Sequence, residues 1–380
     1  MAIAIKDSIE AAFGRHETFT IRYGWLKRGF DHSVVDPRLF YLDDAHHRLG
    51  VGKNMAKSIR FWLSATRLMA EVPDPENSRR TMMRPTRFGM ALLSGLPTVG
   101  EQSYSDSLHA FMPAFADVEG LDPYLEQLDS WWLIHWMMLS PKGKLPVWWT
   151  AFNTFSPVVF TVESLTDHVM AQIEATAAWN NPTAPAATTV KKDVLALLRA
   201  YAGAAGIRKA DKSEDDVDAP MVPLTLISDV GGRYRFAVGR KPGLTAAVVA
   251  FASLDFLSTT SATAKTALVS TLASEVGGPG RAFKLSEREF GELLEAAASA
   301  YPDLIQMRTA GSSPVLAIRS EMPMREIASE ILFRHYESGR AAGAATRRFD
   351  ISSQVITECE GISDGSSDTG AGSVRSVSQT

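Results

Sequence analysis

The chain has a single cysteine, Cys359, in 380 residues. That excludes an intramolecular disulfide, a cysteine-based zinc finger and an iron–sulfur centre held by the chain's own thiolates. Long apolar runs are missing too. The strongest candidate, Trp131-Trp-Leu-Ile-His-Trp-Met-Met-Leu139, ends at Ser140-Pro-Lys, far short of the roughly 20 residues of a membrane span. The N-terminus has no basic region leading into an uninterrupted apolar one, so no secretory signal is expected. Zinc ligands at standard spacing, a dinucleotide-binding fingerprint and any Ser–His–Asp or Cys–His arrangement are equally absent. The expectation is a cytoplasmic protein with no membrane contact.

What is present is an uneven charge distribution. The net charge is −4. Residues 15–90 nevertheless carry fourteen Lys/Arg against eight Asp/Glu, a local net of +6 that leaves −10 for the rest. Such asymmetry points to an anionic partner near the N-terminal end. The alternative is a surface laced with ion pairs.

The basic charge has a pattern. Read as a helix, Leu49 to Arg67 places Lys53, Lys57, Arg60, Ser64 and Arg67 on one face, at steps of four, three, four and three. Met55, Ile59, Trp62 and Met69 form a second, apolar face. A helix with one core face and one cationic stripe can lie along a phosphate backbone. Gly50-Val-Gly-Lys53 resembles the end of a phosphate-binding loop. The full pattern needs Gly at 47 and Ser or Thr at 54, where this chain has His47 and Asn54. A turn feeding a helix N-terminus is the better reading, able to hold one backbone phosphate with help from Lys53 and Asn54.

The spacing predicts an α+β chain, mainly α with short β-ribbons. Phe19, Tyr23 and Leu26 suggest a first helix, and a short second one surrounds Phe40. The cationic helix should run to Glu71-Val-Pro-Asp-Pro75, where two prolines stop it. A basic strand then enters a helix through Thr86-Arg-Phe-Gly89. Helix, turn, basic helix and wing is a winged helix-turn-helix order. Four units are expected. Residues 1–100 form a winged-helix-like DNA-binding domain. Residues 101–205 form a Trp-rich helical domain ending in a helix-turn-helix-like helix at 188–202. Residues 206–337 form an α+β domain. It holds a strand at Arg233–Val238, helices at 244–257, 286–300 and 326–336, a break at Gly277-Gly-Pro-Gly280, and a hairpin of 305–309 with 315–319. A low-complexity tail at 338–380 is expected to be disordered.

Candidate site residues divide into two groups. Arg22, Lys27, Lys53, Asn54, Lys57, Arg60, Arg67, Arg84 and Arg87 are candidate DNA contacts, the last two holding the wing to the adjacent backbone. Asn54 suits an adenine edge. His16, Glu17, Asp43, Asp44, His46 and His47 are candidate metal ligands or general bases for phosphodiester cleavage, or else ordinary loop and cap residues. The cluster of Trp131, Trp132, Trp136, Trp148 and Trp149 suits core packing first and base stacking second. His135 within it reads as a hydrogen-bonded core histidine.

Three stretches carry a resemblance to a known family. They are His16-Glu-Thr-Phe-Thr-Ile-Arg-Tyr-Gly-Trp-Leu-Lys-Arg-Gly29, Leu49-Gly-Val-Gly-Lys-Asn-Met55, and Ser58-Ile-Arg-Phe-Trp62. Trp132–Trp136, Trp148–Phe160 and Gly277–Leu285 add to it. Together they resemble a bacterial family long known only as a domain of unknown function, encoded beside DNA phosphorothioation genes. The family includes the SspB-type component, regarded as a DNA-nicking protein. The resemblance implies an antiphage system with a cysteine desulfurase, an ATPase and a sulfur-transferring enzyme as partners. In it, DNA is bound and nicked so that sulfur can replace a non-bridging phosphate oxygen. It also implies a divalent metal, Mg²⁺ or Mn²⁺. It transfers no catalytic residue. A non-catalytic DNA-binding adaptor explains the same basic helix, and a protein-interaction scaffold would use the Trp-rich middle as its interface.

Overall fold

A computed structural model describes residues 9–94, 120–180, 184–203 and 218–338. Over these residues the chain is α+β, with helices packed among three small antiparallel sheets. One contiguous apolar core runs from Ile9 to Tyr336. Cys359, the low-complexity tail from Gly339 and most of the charged segment at 208–220 lie outside the described residues.

Helix α1 (Trp25–Val35) starts later than the apolar spacing predicts. Glu17, Thr18 and Gly24 all have left-handed φ values, which no helix accommodates. Phe19 and Tyr23 therefore lie in the lead-in, and Tyr23 is 50% exposed. A 3₁₀ turn (Leu39–Tyr41) and the one-turn α2 (Ala45–Arg48) follow. The cationic helix is α3 (Lys53–Ala65). It lies against α1 at Gly29, where an added Cβ would sit 2.5 Å from Ile59 and 2.9 Å from Leu63. Trp62 is fully buried and donates its indole N–H to the Phe19 carbonyl at 3.1 Å.

The cationic helix ends six residues earlier than expected. Thr66 closes it, Arg67 turns left-handed at φ 59°, and the chain enters β1 (Met69–Asp74). Met69 is buried, but on a strand. The Pro73-Asp-Pro75 stretch belongs to the hairpin joining β1 to β2 (Asn77–Pro85). The expected strand-to-helix turn is present. Thr86 caps α4 (Arg87–Leu93), its hydroxyl accepting from the Gly89 amide at 2.9 Å.

The middle of the chain is helical: α5 (Leu128–Leu139), α6 (Pro146–Asn153), α7 (Val162–Ala175), α8 (Ala177–Asn180) and α9 (Ala187–Ala202). The capping box at Thr161 and Ser164 is formed. All five Trp residues of α5 and α6 are at most 3% exposed, so they supply core area and are not base platforms. His135 is fully buried between the Tyr201 hydroxyl (2.7 Å) and the Ala282 carbonyl (2.9 Å). Burial and the charges of Lys284 and Lys241 pull it down to about 4, against the Ala282 bond, so it stays neutral.

Two three-stranded sheets flank the remaining helices. The two-residue β3 (Val159–Phe160) pairs with β5 (Arg233–Phe236), which pairs with β4 (Ile227–Val230). Helix α10 (Ala246–Thr260) is the most buried of this region. Strand β6 (Thr266–Leu268) joins the expected hairpin, now β7 (Ile305–Ala310) and β8 (Ser313–Ile318), in the order β6-β8-β7. Between them lie α11 (Val269–Ser274), the one-turn α12 (Pro279–Ala282) and α13 (Glu287–Ala300), and α14 (Met324–Ser338) follows. Residues 277–285 wrap the C-terminal end of α6. The Gly277 amide meets the Asn153 side chain at 2.8 Å, Arg281 donates to the Asn153 carbonyl, and Lys284 donates to the Phe152 carbonyl at 2.9 Å. Two cations at a helix C-terminus match its partial negative charge.

Candidate nucleic-acid interface

Helix α3 points its cationic stripe into a cleft of two adjoining chambers. The outer chamber, about 560 Å³, is lined by Arg15, Lys57, Arg60 and Lys144 together with Glu10 and Glu71. The inner chamber, about 440 Å³, is lined by Arg67, Lys142, Lys144 and Arg325, with Glu10, Glu71 and Asp255. Across both, seven basic side chains face three acidic ones. The walls come from distant parts of the chain: the N-terminal lead-in, α3, β1, the 140–144 loop, α10 and α14. The lead-in is joined to that loop by a bridge between Ile9 and Gly143, with Glu10 N–H donating to the Gly143 carbonyl at 2.9 Å.

Two of the three acids are engaged. Glu71 receives Arg60 at 2.9 Å and lies 3.8 Å from the Lys144 ammonium. Arg60 also donates to the Thr81 hydroxyl at 2.9 Å and lies over the Tyr41 ring. Asp255 accepts the Trp136 indole N–H at 2.9 Å. Burial pushes its carboxyl up, against that bond and the charges of Arg67 and Arg325.

The candidate DNA contacts fall in different places. Lys53, Asn54 and Lys57 are exposed on α3, Lys57 3.8 Å from Glu17 and 3.5 Å from the Asn54 side-chain amide oxygen. Arg60 is half-buried at the cleft. Arg67 is no longer on the helix. It donates to the Ser140 carbonyl at 2.6 Å and to the Pro141 carbonyl, while its Nε is buried without a hydrogen bond. Burial pulls it down to about 10, against the charges of Asp255 and Glu10. A non-glycine residue held left-handed costs on the order of 1 kcal/mol, and Lys142 in the facing loop has the same conformation at φ 67°. Lys27 is buried, its ammonium 2.7 Å from Asp31 and 3.1 Å from the Leu93 carbonyl, so it is a core ion pair and not an open phosphate contact. Arg22 lies half-buried over the Trp25 ring at 4.9 Å. Arg84 on β2 and Arg87 at the start of α4 are half-buried.

The candidate catalytic residues are not brought together. His16 is buried, its Nε2 2.8 Å from Asp193, where it pins the lead-in to α9 beside the Gly14 amide. Its ring packs near Trp62 and Trp148. Asp44 pairs with Arg48 at 3.0 Å. His46 and His47 contact each other with ring centroids 4.0 Å apart, and Asp43 is exposed beside them. Arg15, Lys142, Lys144, Asp255 and Arg325 are cleft residues that the sequence pattern misses, because only the fold brings them to α3.

Comparison with known proteins agrees with the resemblance. The family model described as a protein of unknown function, DUF4007, matches residues 13–109 and 107–336. The chain belongs to the DUF4007 family. A crystal structure of SspB is similar to it at 30% identity, covering 88% of this chain and 90% of that one, with a TM-score of 0.75. A magnesium-ion-bound crystal structure of SspB is similar at 29% identity, covering 91% and 94%, with a TM-score of 0.77. No curated protein matches the chain.

The motif stretches shared with DUF4007 proteins are mostly structural in this member. Residues 58–62 and 132–136 build the core, and 277–285 cap α6. A magnesium ion takes one or two carboxylates and keeps several waters. Among the described residues no group of three or more His, Cys, Asp or Glu side chains is placed to hold a metal ion. The cleft's Glu71 and Asp255 face cations and an indole. Glu71 and Asp255 would have to leave those partners to take a magnesium ion. No helix among the described residues is long and apolar enough to cross a membrane.

Proposed function

We propose that this chain is a DNA-binding component of a single-strand DNA phosphorothioation system, and that it acts as the system's DNA-nicking protein. The observation that carries the reading is the cleft along α3, where seven basic side chains meet three acidic ones in a family whose solved relatives include SspB. Lys57, Arg60, Lys144 and Arg15 meet backbone phosphates in the outer chamber, and Lys53 and Asn54 extend the contact toward the start of α3. The β1–β2 hairpin serves as the wing of a winged-helix-like unit within residues 1–100, with Arg84 and Arg87 at its base. DNA as substrate places the protein in the cytoplasm, beside a cysteine desulfurase, an ATPase and a sulfur-transfer enzyme.

A second reading has its own support. His16 is committed to Asp193, and Asp44 to Arg48. Two of the six candidate catalytic groups are thus engaged in structure, which favours a non-catalytic DNA-binding adaptor. Relaxation of supercoiled plasmid by the purified chain, with Mg²⁺, with Mn²⁺ and with EDTA, separates the two. The nicking reading predicts open-circular product with a divalent ion, lost on adding EDTA and reduced by Lys57→Ala/Lys144→Ala. Salt-sensitive DNA binding with intact plasmid in every lane, partner proteins included, would establish the adaptor.

A further inference from the structure

The inner chamber differs from the outer one. Its floor holds Asp255, fixed by the Trp136 indole at 2.9 Å. Around it stand Arg67 from the α3–β1 junction, Lys142 and Lys144 from the loop, Arg325 from α14, Glu71 from β1 and Glu10 from the lead-in. Thr86 and Thr259 complete the wall, their hydroxyls donating to the Arg67 carbonyl at 2.6 Å and the Asp255 backbone carbonyl at 3.2 Å. Glu71 is spoken for by Arg60 and Lys144. Arg67 is held left-handed with a buried, unsatisfied Nε, and Lys142 opposite is left-handed as well. Backbone strain and an orphaned guanidinium donor at one cavity mark a site built for something other than stability.

The chamber's charge is four basic against three acidic groups, so one monoanion nearly neutralises it. Its size admits a phosphodiester with one flanking sugar, and guanidinium and ammonium groups are the usual hosts of that anion. Asp255 competes with such a guest for Arg67 and Arg325. We propose that the inner chamber is the seat of a single nucleic-acid phosphodiester, and that Asp255 takes up a proton when the phosphate enters. Burial pushes the Asp255 carboxyl up from its ordinary value, and a second anion beside it pushes it further. The inference rests on the DNA-binding reading and deepens it: the outer chamber tracks the strand and the inner one holds one phosphate in place.

The test uses the full chain labelled with ¹⁵N at its indoles. The Trp136 resonance is assigned with Trp136→Phe, because its N–H reports on Asp255. The probe is the dinucleotide TpT, which carries one phosphodiester, with its uncharged methylphosphonate analogue as control. TpT is expected to move the Trp136 resonance and the analogue to leave it in place. Affinity should tighten as pH falls, by up to tenfold per unit while one proton is taken up. Asp255→Asn should bind TpT without that pH dependence, and Arg325→Ala about tenfold more weakly. If Asp255→Asn does not fold, the wild-type pH series with Arg325→Ala carries the same test. A Trp136 resonance unmoved by TpT, moved equally by the neutral analogue, or a pH dependence unaltered in Asp255→Asn overturns the proposal. Duplex DNA binding measured alongside tells the two readings apart. DNA binding with no TpT response leaves the cleft reading standing and removes the pocket. A TpT response without duplex binding does the reverse.

Discussion

Glu71 is the residue whose removal should improve the cleft. Its carboxylate neutralises Arg60 at 2.9 Å and approaches Lys144 at 3.8 Å. Glu71→Gln keeps the shape and removes one negative charge, so two cations face the cleft with no acid between them. If DNA runs along α3, the variant gains about one phosphate contact. Each contact contributes roughly 0.9 to the slope of log K against log salt, which at 0.1 M salt is on the order of tenfold in affinity. The cost to folding is small. The two side chains are 28% and 29% exposed, and such pairs contribute about 0–1 kcal/mol, or a few degrees in Tm. Fluorescence anisotropy with a labelled duplex from 50 to 300 mM salt reads both affinity and slope. Tighter binding with a steeper slope is expected. Unchanged or weaker binding by a folded Glu71→Gln would refute the placement of DNA in this cleft.

Three further outcomes follow from the packing. Gly29→Ala pushes a methyl into Ile59 and Leu63 at the α1–α3 contact, and should cost about 1–3 kcal/mol in urea unfolding while displacing the cationic helix. His16→Ala should cost about 1–3 kcal/mol by leaving the buried Asp193 with only the Gly14 amide, and a double-mutant cycle with Asp193→Ala should recover much of it, because His16 is structural. Lys284 is pulled down to about 7 by burial and by the charges of Arg281 and Lys241. Its unfolded form therefore binds more protons between pH 7 and about 10.4, its ordinary value, and stability contributed by this group rises with pH across that window. Urea midpoints at pH 7 and pH 9 should show the rise in wild type and a flatter profile in Lys284→Met.

Much of the fold was legible because local signals and tertiary demand agree. The capping residues Thr86, Thr161 and Ser286 stand where helices begin, and each accepts the expected amide. The Trp cluster reads as core and is core. The largest departure is at Arg67. Its position one turn beyond Ser64 continues the helical stripe, yet the pairing of Met69–Asp74 with the following strand outweighs helix propensity. Residues Ala70 to Pro73 alternate between half-buried and exposed on the strand, and the two prolines mark the hairpin. Lys27 shows a different limit. It lies on α1 four residues before Asp31, and nothing local reveals that its ammonium also reaches the Leu93 carbonyl. The cleft was half legible. Lys57 and Arg60 follow from periodicity, whereas Lys144, Asp255 and Arg325 reach it only through the packing of the 140s loop, α10 and α14.

If α3 and the 140–144 loop together hold a DNA backbone, the salt dependence of duplex binding must differ between wild type and Lys57→Ala/Lys144→Ala. Weaker binding by the variant is expected, with a slope shallower by roughly 2, one unit for each lost phosphate contact. Equal affinity and an unchanged slope in a folded variant would contradict that placement.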